Sequence, residues 1–451
     1  MKKASLTRRA FLAASTTTVA ASAIAAPNDA KVVPGKISPN EKLNIAAIGA
    51  GGKGMSDIMS CHRHGENIVA LCDPDWNRAG EAFYKLKDAK QFKDYREMLE
   101  KMPEIDACTV STPDHTHAPA AYQAMKLGKH VYVQKPLTHT VAEARLLTNT
   151  AREMGVATQM GNQGHCGDGV RDMCEMVWDG AIGQVKEAHV WTNRPVWPQG
   201  IDKPLDKEAV PETMDWDLWI GTAPMRDYNS KYCPFNWRGW WDFGCGALGD
   251  MACHIMDPTF WALKLVEAPD YTVEVIAQSG KNDQTAPNAS VVKYSFPARA
   301  DMGPVDVFWY DGEMIPKRPE GVPADQKLGD GRNGSFFIGE NGILTAGEYG
   351  GQARLLPDAE MKDYKRPERT IKRIEGEDPY LNWIQACKGG DAAASNFDYS
   401  GPFTEMVVFG NLALQTEKKM HWDNKKGMVT NVPNPAEFVS KEYRKGWELP
   451  C

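Results

Sequence analysis

Two kinds of apolar pattern divide the 451 residues, and together they predict an α/β chain: a parallel sheet wrapped by helices, then an α+β region built on a large open, mostly antiparallel sheet. From Leu43 to about Gly161, short apolar runs alternate with stretches of helical period, the order that right-handed crossovers and a parallel sheet require. Beyond Gly164, alternating runs follow one another with mainly Gly, Pro and Asn between them, as in hairpin-connected strands. A third observation fixes where the N-terminal region begins: Leu43 to Gly54, LNIAAIGAGGKG, is an apolar strand that breaks into a glycine turn and then an amphipathic segment.

In that turn Gly49, Gly51 and Gly54 have the G-x-G-x-x-G spacing. They supply in order a tight turn, bare backbone for a pyrophosphate, and close helix-strand packing, while the helix beyond offers free N–H groups and a positive dipole end. Ala50, Gly52 and Lys53 complete the loop. The second apolar run, Ile68 to Cys72, ends in Asp73, 24 residues past Gly49, where a dinucleotide site places its ribose-holding carboxylate. The expected fold of this region is therefore a Rossmann dinucleotide-binding domain. A carboxylate there accepts from two ribose hydroxyls and repels a 2′-phosphate, so NAD is expected over NADP, although Arg78 stands close by.

The remaining elements of this region follow in order: a helix over 95–102, a strand over 105–110, a helix over 118–127, a strand over 130–133, a helix over 142–154 and a strand over 156–160. Ligands of such sheets lie outside the C-terminal strand ends. The residues to inspect are thus Ser111 to His117, Gln134-Lys135-Pro136 and Gly161-Asn162-Gln163. In the C-terminal region a helix over 170–178 precedes strands over 184–191, 273–277, 291–296, 305–310, 336–338 and 343–345, with helical patterns at 381–387 and 404–414. His421-Trp422-Asp423 and Tyr443 to Trp447 read as a closing strand and a structural tail. The stretch Asn236 to His254 is the densest: Asp250 and His254, four apart, share one face of a helix. Seven tryptophans, from Trp191 to Trp241, crowd the same region. Indole faces suit the C–H face of a sugar ring, with Arg194, Arg238, Asn193 and Gln199 for its hydroxyls, but most of the seven are expected to be core.

Together, Thr112-Pro113 with His117, Lys135-Pro136 after Gln134, and Asp250 with His254 resemble the Gfo/Idh/MocA oxidoreductases, over nearly all of the chain after its first residues. The resemblance implies T-P-x-x-x-H and E-K-P motifs in the nucleotide domain, with Gln134 standing where the family has glutamate. It implies that Lys135 lies beside the nicotinamide and the reacting carbinol, that His254 accepts the substrate hydroxyl's proton, and that Asp250 orients the histidine or the substrate. Gly49, Ala50, Gly51, Gly52, Lys53, Gly54, Asp73, Thr112, Pro113, His117, Gln134, Lys135 and Asn162 are then expected at the cofactor. Lys135, Arg194, Trp197, Arg238, Trp240, Asp250 and His254 are expected at the substrate.

Hydrophobic residues make up 42% and charged residues 25%, with a mean hydropathy of −0.47, as in a globular protein. The net charge of −7 leaves no basic excess for nucleic acid, and no apolar run is long enough to span a bilayer. Ser5 to Leu12, with Arg8-Arg9, reads as a twin-arginine export signal over 1–26, followed by a linker over 27–40. The nucleotide domain is expected over 41–163 and the substrate and oligomerisation domain over 164–451. The ten cysteines lack C-x-x-C spacing, and neither a metal site nor more than a few disulfides is expected. The expected activity is oxidation or reduction of a sugar carbinol by an exported, periplasmic homo-oligomer that holds its NAD tightly. The alternatives are a redox-neutral NAD-dependent glycosidase and a non-catalytic NAD-bearing sugar-binding protein.

Overall fold

The computed structural model describes Ser38 and residues 40–451; the twin-arginine stretch and most of the linker lie outside them. Six strands form the first sheet: β1 (Asn44–Ile48), β2 (Asn67–Cys72), β3 (Lys90–Phe92), β4 (Ala107–Val110), β5 (His130–Val133) and β6 (Thr158–Met160). Their order is β3-β2-β1-β4-β5-β6, all parallel. The order reverses between β1 and β4, which opens a crevice beyond their C-terminal ends. The connecting helices are α1 (Lys53–Arg63), α2 (Trp76–Lys85), α3 (Tyr95–Lys101), α4 (His117–Lys126) and α5 (Val141–Met154). Helix α5 starts with a capping box, in which the Thr140 side chain and Glu143 satisfy each other's backbone N–H groups, and ends at Gly155 in the left-handed region.

The C-terminal region begins with α6 (Asp168–Trp178) and β7 (Val185–Trp191), followed by a long insertion that holds α7 (Trp216–Ile220). Then come α8 (Gly246–Ile255) and α9 (Asp257–Ala262), before β8 (Asp270–Gln278), β9 (Ser290–Phe296), β10 (Val305–Asp311), β11 (Gly334–Gly339), β12 (Ile343–Ala346) and β13 (Arg354–Leu356). After α10 (Pro379–Cys387) and α11 (Phe397–Thr416), β14 (Met420–Asp423) and β15 (Met428–Val429) complete a nine-stranded sheet, ordered β13-β12-β11-β7-β10-β9-β8-β14-β15. The sheet is mixed: β7 and β10 run parallel at its centre, and every other pairing is antiparallel. The parallel pair exists because the chain travels through the insertion and two helices between β7 and β8, then fills the sheet inward from its far side.

The last two long helices return to the first sheet. Trp383, Ile384 and Cys387 of α10 pack with Ile45, Ala47, Ile58 and Leu71 in one buried cluster. Helix α11 lies along α5, where Arg145 pairs with Glu405 at 2.6 Å and the Thr148 hydroxyl donates to the Phe397 carbonyl at 3.2 Å. A larger core runs continuously from the other face of the parallel sheet through α5, α8 and α11 to the inner face of the nine-stranded sheet. The ten cysteines are unpaired and eight are buried, where they fill space as small apolar side chains.

Candidate active site

The turn after β1 is shaped by close approaches that only glycine permits. Gly49 has φ +83°, and a Cβ there would lie 2.7 Å from the Ser111 backbone; a Cβ on Gly54 would lie 1.7 Å from the Gly49 carbonyl oxygen. Helix α1 starts from Gly52 without a side-chain cap, the setting in which a helix N-terminus can take an anion. Asp73 braces the loop: its carboxylate accepts from the Gly51 N–H at 3.0 Å and the Asp75 N–H at 3.0 Å. Burial pushes Asp73 up to about 6, against the opposite pull of those N–H groups. Arg78 crosses over the turn, close enough that a Cβ on Gly52 would meet its guanidinium at 2.1 Å.

Beneath the turn lies a residue to which the sequence drew no attention. Asp57, on α1, is fully buried and accepts from Ser111 Oγ at 2.7 Å, Gln134 Nε2 at 2.9 Å and Tyr380 OH at 2.6 Å, and it pairs with Lys53. This explains the departure at Gln134. A glutamate there would set a second carboxylate against Asp57 in a dry site, whereas the amide donates. Gln134 is thus turned to the glycine turn and not to Lys135.

Lys135 finds its carboxylate on α8. Its Nζ donates to Asp250 Oδ1 at 2.8 Å and to the Asp250 carbonyl at 3.0 Å, and Arg238 Nε donates to the same Oδ1 at 3.1 Å. Burial opposes ionisation of Asp250, but the charges of Lys135 and Arg238 outweigh it and hold the carboxyl at about 2. Asp250 therefore positions Lys135 and Arg238, and it makes no hydrogen bond to His254. On the same helix face, His254 is buried with Nδ1 unpartnered. Burial and the Lys135 charge push His254 down to about 3, so it is a neutral acceptor at physiological pH.

Two further groups support this centre. Asp114, buried in the loop after β4, accepts from the Cys245 N–H at 3.0 Å and so anchors the residue that starts helix α8, whose first turn has no side-chain cap. Burial, with the Asp250 charge, raises Asp114 to about 7. Tyr349 has φ +59°, sets its ring edge-to-face with His254 at 5.3 Å, and fits over Gly164, where a Cβ would lie 2.0 Å from its ring. A non-glycine residue held in the left-handed region is costly and calls for a reason.

Gly49, Gly51, Lys53, Asp73, Thr112, Pro113, Gln134, Lys135, Arg238 and His254 border one cleft. Other expected residues stand behind it. Ala50 is buried; His117 has its ring nitrogens 2.8 Å from the carbonyls of Thr112 and Pro136; Asn162 Oδ1 accepts from Ser395 Oγ at 2.6 Å. The expected indole platform of Trp197 and Trp240 is replaced. Trp240 is 1% exposed and packs edge-on against Tyr232, and Trp197 spends its N–H on Gln199 at 2.9 Å. Arg194 bonds Asn193. Aromatic walls come instead from Trp219, Phe235, Trp237 and Trp447. Among the described residues no cluster of three His, Cys, Asp or Glu side chains is arranged to hold a metal, and no helix is long and apolar enough to cross a membrane.

Residues 43–162 match the oxidoreductase-family NAD-binding Rossmann fold, and residues 176–298 match the C-terminal alpha/beta domain of the same oxidoreductase family. A relative from Shewanella oneidensis, an alpha-N-acetylgalactosaminidase, is 32% identical over 170 residues, which is 35% of this chain and 37% of that protein. The WlbA dehydrogenase from Bordetella pertussis, solved with NADH and UDP-GlcNAcA, superposes with a TM-score of 0.58 at 15% identity, over 84% of this chain and 98% of its own. An inositol dehydrogenase homolog from Azotobacter vinelandii, complexed with NADH and myo-inositol, gives 0.52 at 16% identity, over 86% and 98%. The match to the curated relative thus spans little more than a third of its length, and the likeness to the solved structures is one of fold.

Proposed function

The chain belongs to the Gfo/Idh/MocA oxidoreductase family, and from that premise we propose that it holds NAD in the cleft beyond β1 and β4 and interconverts a carbinol and a carbonyl on a sugar or sugar derivative. The observation that carries this is the meeting of Lys135, its ion-pair partner Asp250 and neutral His254 at the cleft of the glycine turn. The turn keeps its shape only because Gly49 and Gly54 lack side chains, which would meet the Ser111 backbone and the Gly49 carbonyl, and Asp73 stands where a ribose acceptor is needed. Bound nicotinamide supplies the hydride acceptor and donor. The chain's own residues handle position and protons: His254 accepts the hydroxyl proton, and Lys135, pinned by Asp250, donates a hydrogen bond to the oxygen as charge builds on it. Because His254 is a weak base here, the Lys135 charge must lower the hydroxyl's own proton affinity for the transfer to proceed.

A second reading is supported by the Shewanella relative: redox-neutral glycoside cleavage, in which loss of a hydride to bound nicotinamide would turn the carbinol into a ketone and acidify the neighbouring C–H, removal of that proton would expel the glycosidic leaving group, water would add across the resulting double bond and restore the C–H, and the hydride would return to the ketone, with His254 and Lys135 taking and returning the carbinol proton. The proposal includes export by the twin-arginine route to the periplasm, from Arg8-Arg9. It also includes self-association through the less buried face of the nine-stranded sheet, where His189 stacks between Phe308 and Phe336 at 4.9 and 4.6 Å. Denaturing the purified protein and analysing the released nucleotide tests the cofactor. Desalted protein offered sugars and glycosides then separates the activities: product without added NAD and without NADH absorbance favours the closed cycle, and NADH in proportion to product favours an ordinary dehydrogenase.

A further inference from the structure

A crevice beyond the C-terminal ends of a parallel sheet is bordered by the loops that follow its strands. Here the insertion after β7 and the C-terminal tail border it as well. Immediately after Asp73, the chain pairs with the insertion: Asp75 and Met214 form an antiparallel bridge, the Asp215 N–H donates to the Pro74 carbonyl at 2.8 Å, and the Trp76 N–H donates to the Thr213 carbonyl at 3.2 Å. Helix α7 starts from this contact, with Asp215 capping the Leu218 N–H at 3.0 Å. Its far end is fastened by the C-terminal tail. Arg444 Nε donates to the Gly221 carbonyl at 2.9 Å, its NH2 group donates to the Asp217 carbonyl at 2.7 Å, and the guanidinium pairs with the Asp217 carboxylate. Three residues further on, Trp447 is 8% exposed, with the Arg96 guanidinium 4.1 Å from its ring centre and the Tyr95 ring at 6.3 Å. Met214, Leu218, Trp219 and Trp447 border the same cleft as Gly51 and Asp73.

We infer that residues 213–219 and the tail around Arg444 and Trp447 form a strap that retains a bound dinucleotide, with Trp219 and Trp447 as binding residues on the Asp73 side of the cleft. The inference rests on the dinucleotide reading of the cleft. The physical case is one of continuity: the bridge at Asp75 joins the strap to the residue pair after the ribose acceptor, and the Arg444 fastening joins its other end to the tail. On this inference, a dinucleotide leaves past Asp73 only after the bridge or the fastening has opened. Side chains that only filled a core would need neither a backbone bridge at Asp75 nor an aromatic ring in the cleft wall. The strap also gives the chain a means of keeping its cofactor where none is supplied.

A gate and a contact differ in kinetics. A contact changes the dissociation rate alone, whereas a strap slows association and dissociation together. The test loads full-length protein with NADH and chases it with excess NAD, following protein-sensitised NADH fluorescence, in the unmodified protein and in Arg444→Ala and Asp217→Asn. Arg444→Ala removes the whole fastening, whereas Asp217→Asn removes its ion pair and leaves the two bonds to main-chain carbonyls, so a smaller rise in both rates is expected there; with its 62% exposed side chain, Asp217 decides the matter if Arg444→Ala fails to fold. In Arg444→Ala, dissociation and association are both expected to rise by about tenfold, with Kd held within about threefold. Trp447→Ala is expected to raise Kd as well. Dissociation rates within about twofold of the unmodified protein, with NADH still bound, overturn the strap while leaving the dinucleotide site intact. Absence of NADH binding to the unmodified protein overturns the dinucleotide reading, and the strap with it.

Discussion

The glycine turn after β1 and the tryptophan-rich insertion after β7 border one cleft, but they are built on opposite principles. In the turn, the tightest approach is between residues a few positions apart, so the glycines follow directly from local geometry: Gly54 faces the Gly49 carbonyl and nothing larger fits. In the insertion, Trp216 stacks on Trp219 at 4.8 Å, Trp240 meets Tyr232 at 4.8 Å, and the whole makes a small separate core. Which indole faces the cleft is decided by contacts with distant segments, so composition announces an aromatic cluster without saying which ring does what. Local constraint yields residue roles; nonlocal packing yields only residue counts.

The largest break in this comparison is expected at the turn. Gly54→Ala forces α1 away from the Gly49 carbonyl, and NADH binding should fall below detection in fluorescence titration while the far-ultraviolet spectrum stays folded. Retained affinity would mean that the turn is merely a tight connection. Next comes Lys135→Ala, which should leave NADH affinity intact and lower turnover by about two to four powers of ten, the scale of a positioned proton-handling group. Asp250 keeps Arg238 as a partner at 3.1 Å, so the melting temperature should barely move. Unchanged turnover would remove Lys135 from the chemistry.

The same division explains how much was legible in the sequence. The strands of the first sheet that carry hydrophobic runs were evident to within one or two residues, because burial on both faces leaves nearly continuous apolar stretches. Strand β3, with the sequence KQF at the sheet edge, carries no such signal. The Asp250 and His254 pair was readable from helical spacing, but the partner of Asp250 was not, since Lys135 reaches it across 115 residues. Asp57 and Tyr349 were missed for the same reason, and Asp114, inside the stretch 111–117 singled out for its place after a strand, was given no role: each is an ordinary residue locally and becomes informative only through burial or a left-handed backbone. The parallel pairing of β7 and β10 could not be read from alternation, which reports which face is buried and says nothing of strand direction.

A third experiment sharpens the insertion side. Trp240→Ala removes a fully packed indole and should cost about 3–5 kcal/mol of stability, the usual range for a large aromatic in a core. The folded fraction should bind NADH and substrate as before, since Trp240 presents no surface to the cleft. Altered substrate selectivity with an unchanged melting curve would restore the ring to the site.

The smallest expected effect lies back at the turn, where a charge replaces a steric limit. Burial raises Asp73 to about 6, and only the ionised carboxylate offers both oxygens as acceptors to the ribose hydroxyls. NADH affinity should therefore rise with pH up to about that value and level off above it, with Kd about tenfold weaker for each unit below. Stability of the free protein should move the other way. A carboxyl whose folded value lies above its unfolded value of about 4 contributes fully in acid, and that contribution is lost as pH rises from about 4 through 6. Opposite slopes from one residue separate binding from folding without a second probe. Asp73→Asn should flatten both, and should also bring NADPH affinity towards that for NADH, because the repulsion is gone and Arg78 stays beside the turn. Equal affinities for the two dinucleotides in the unmodified protein, or a pH-independent Kd, would take the ribose-holding role away from Asp73 and leave it as a brace for the Gly51 N–H.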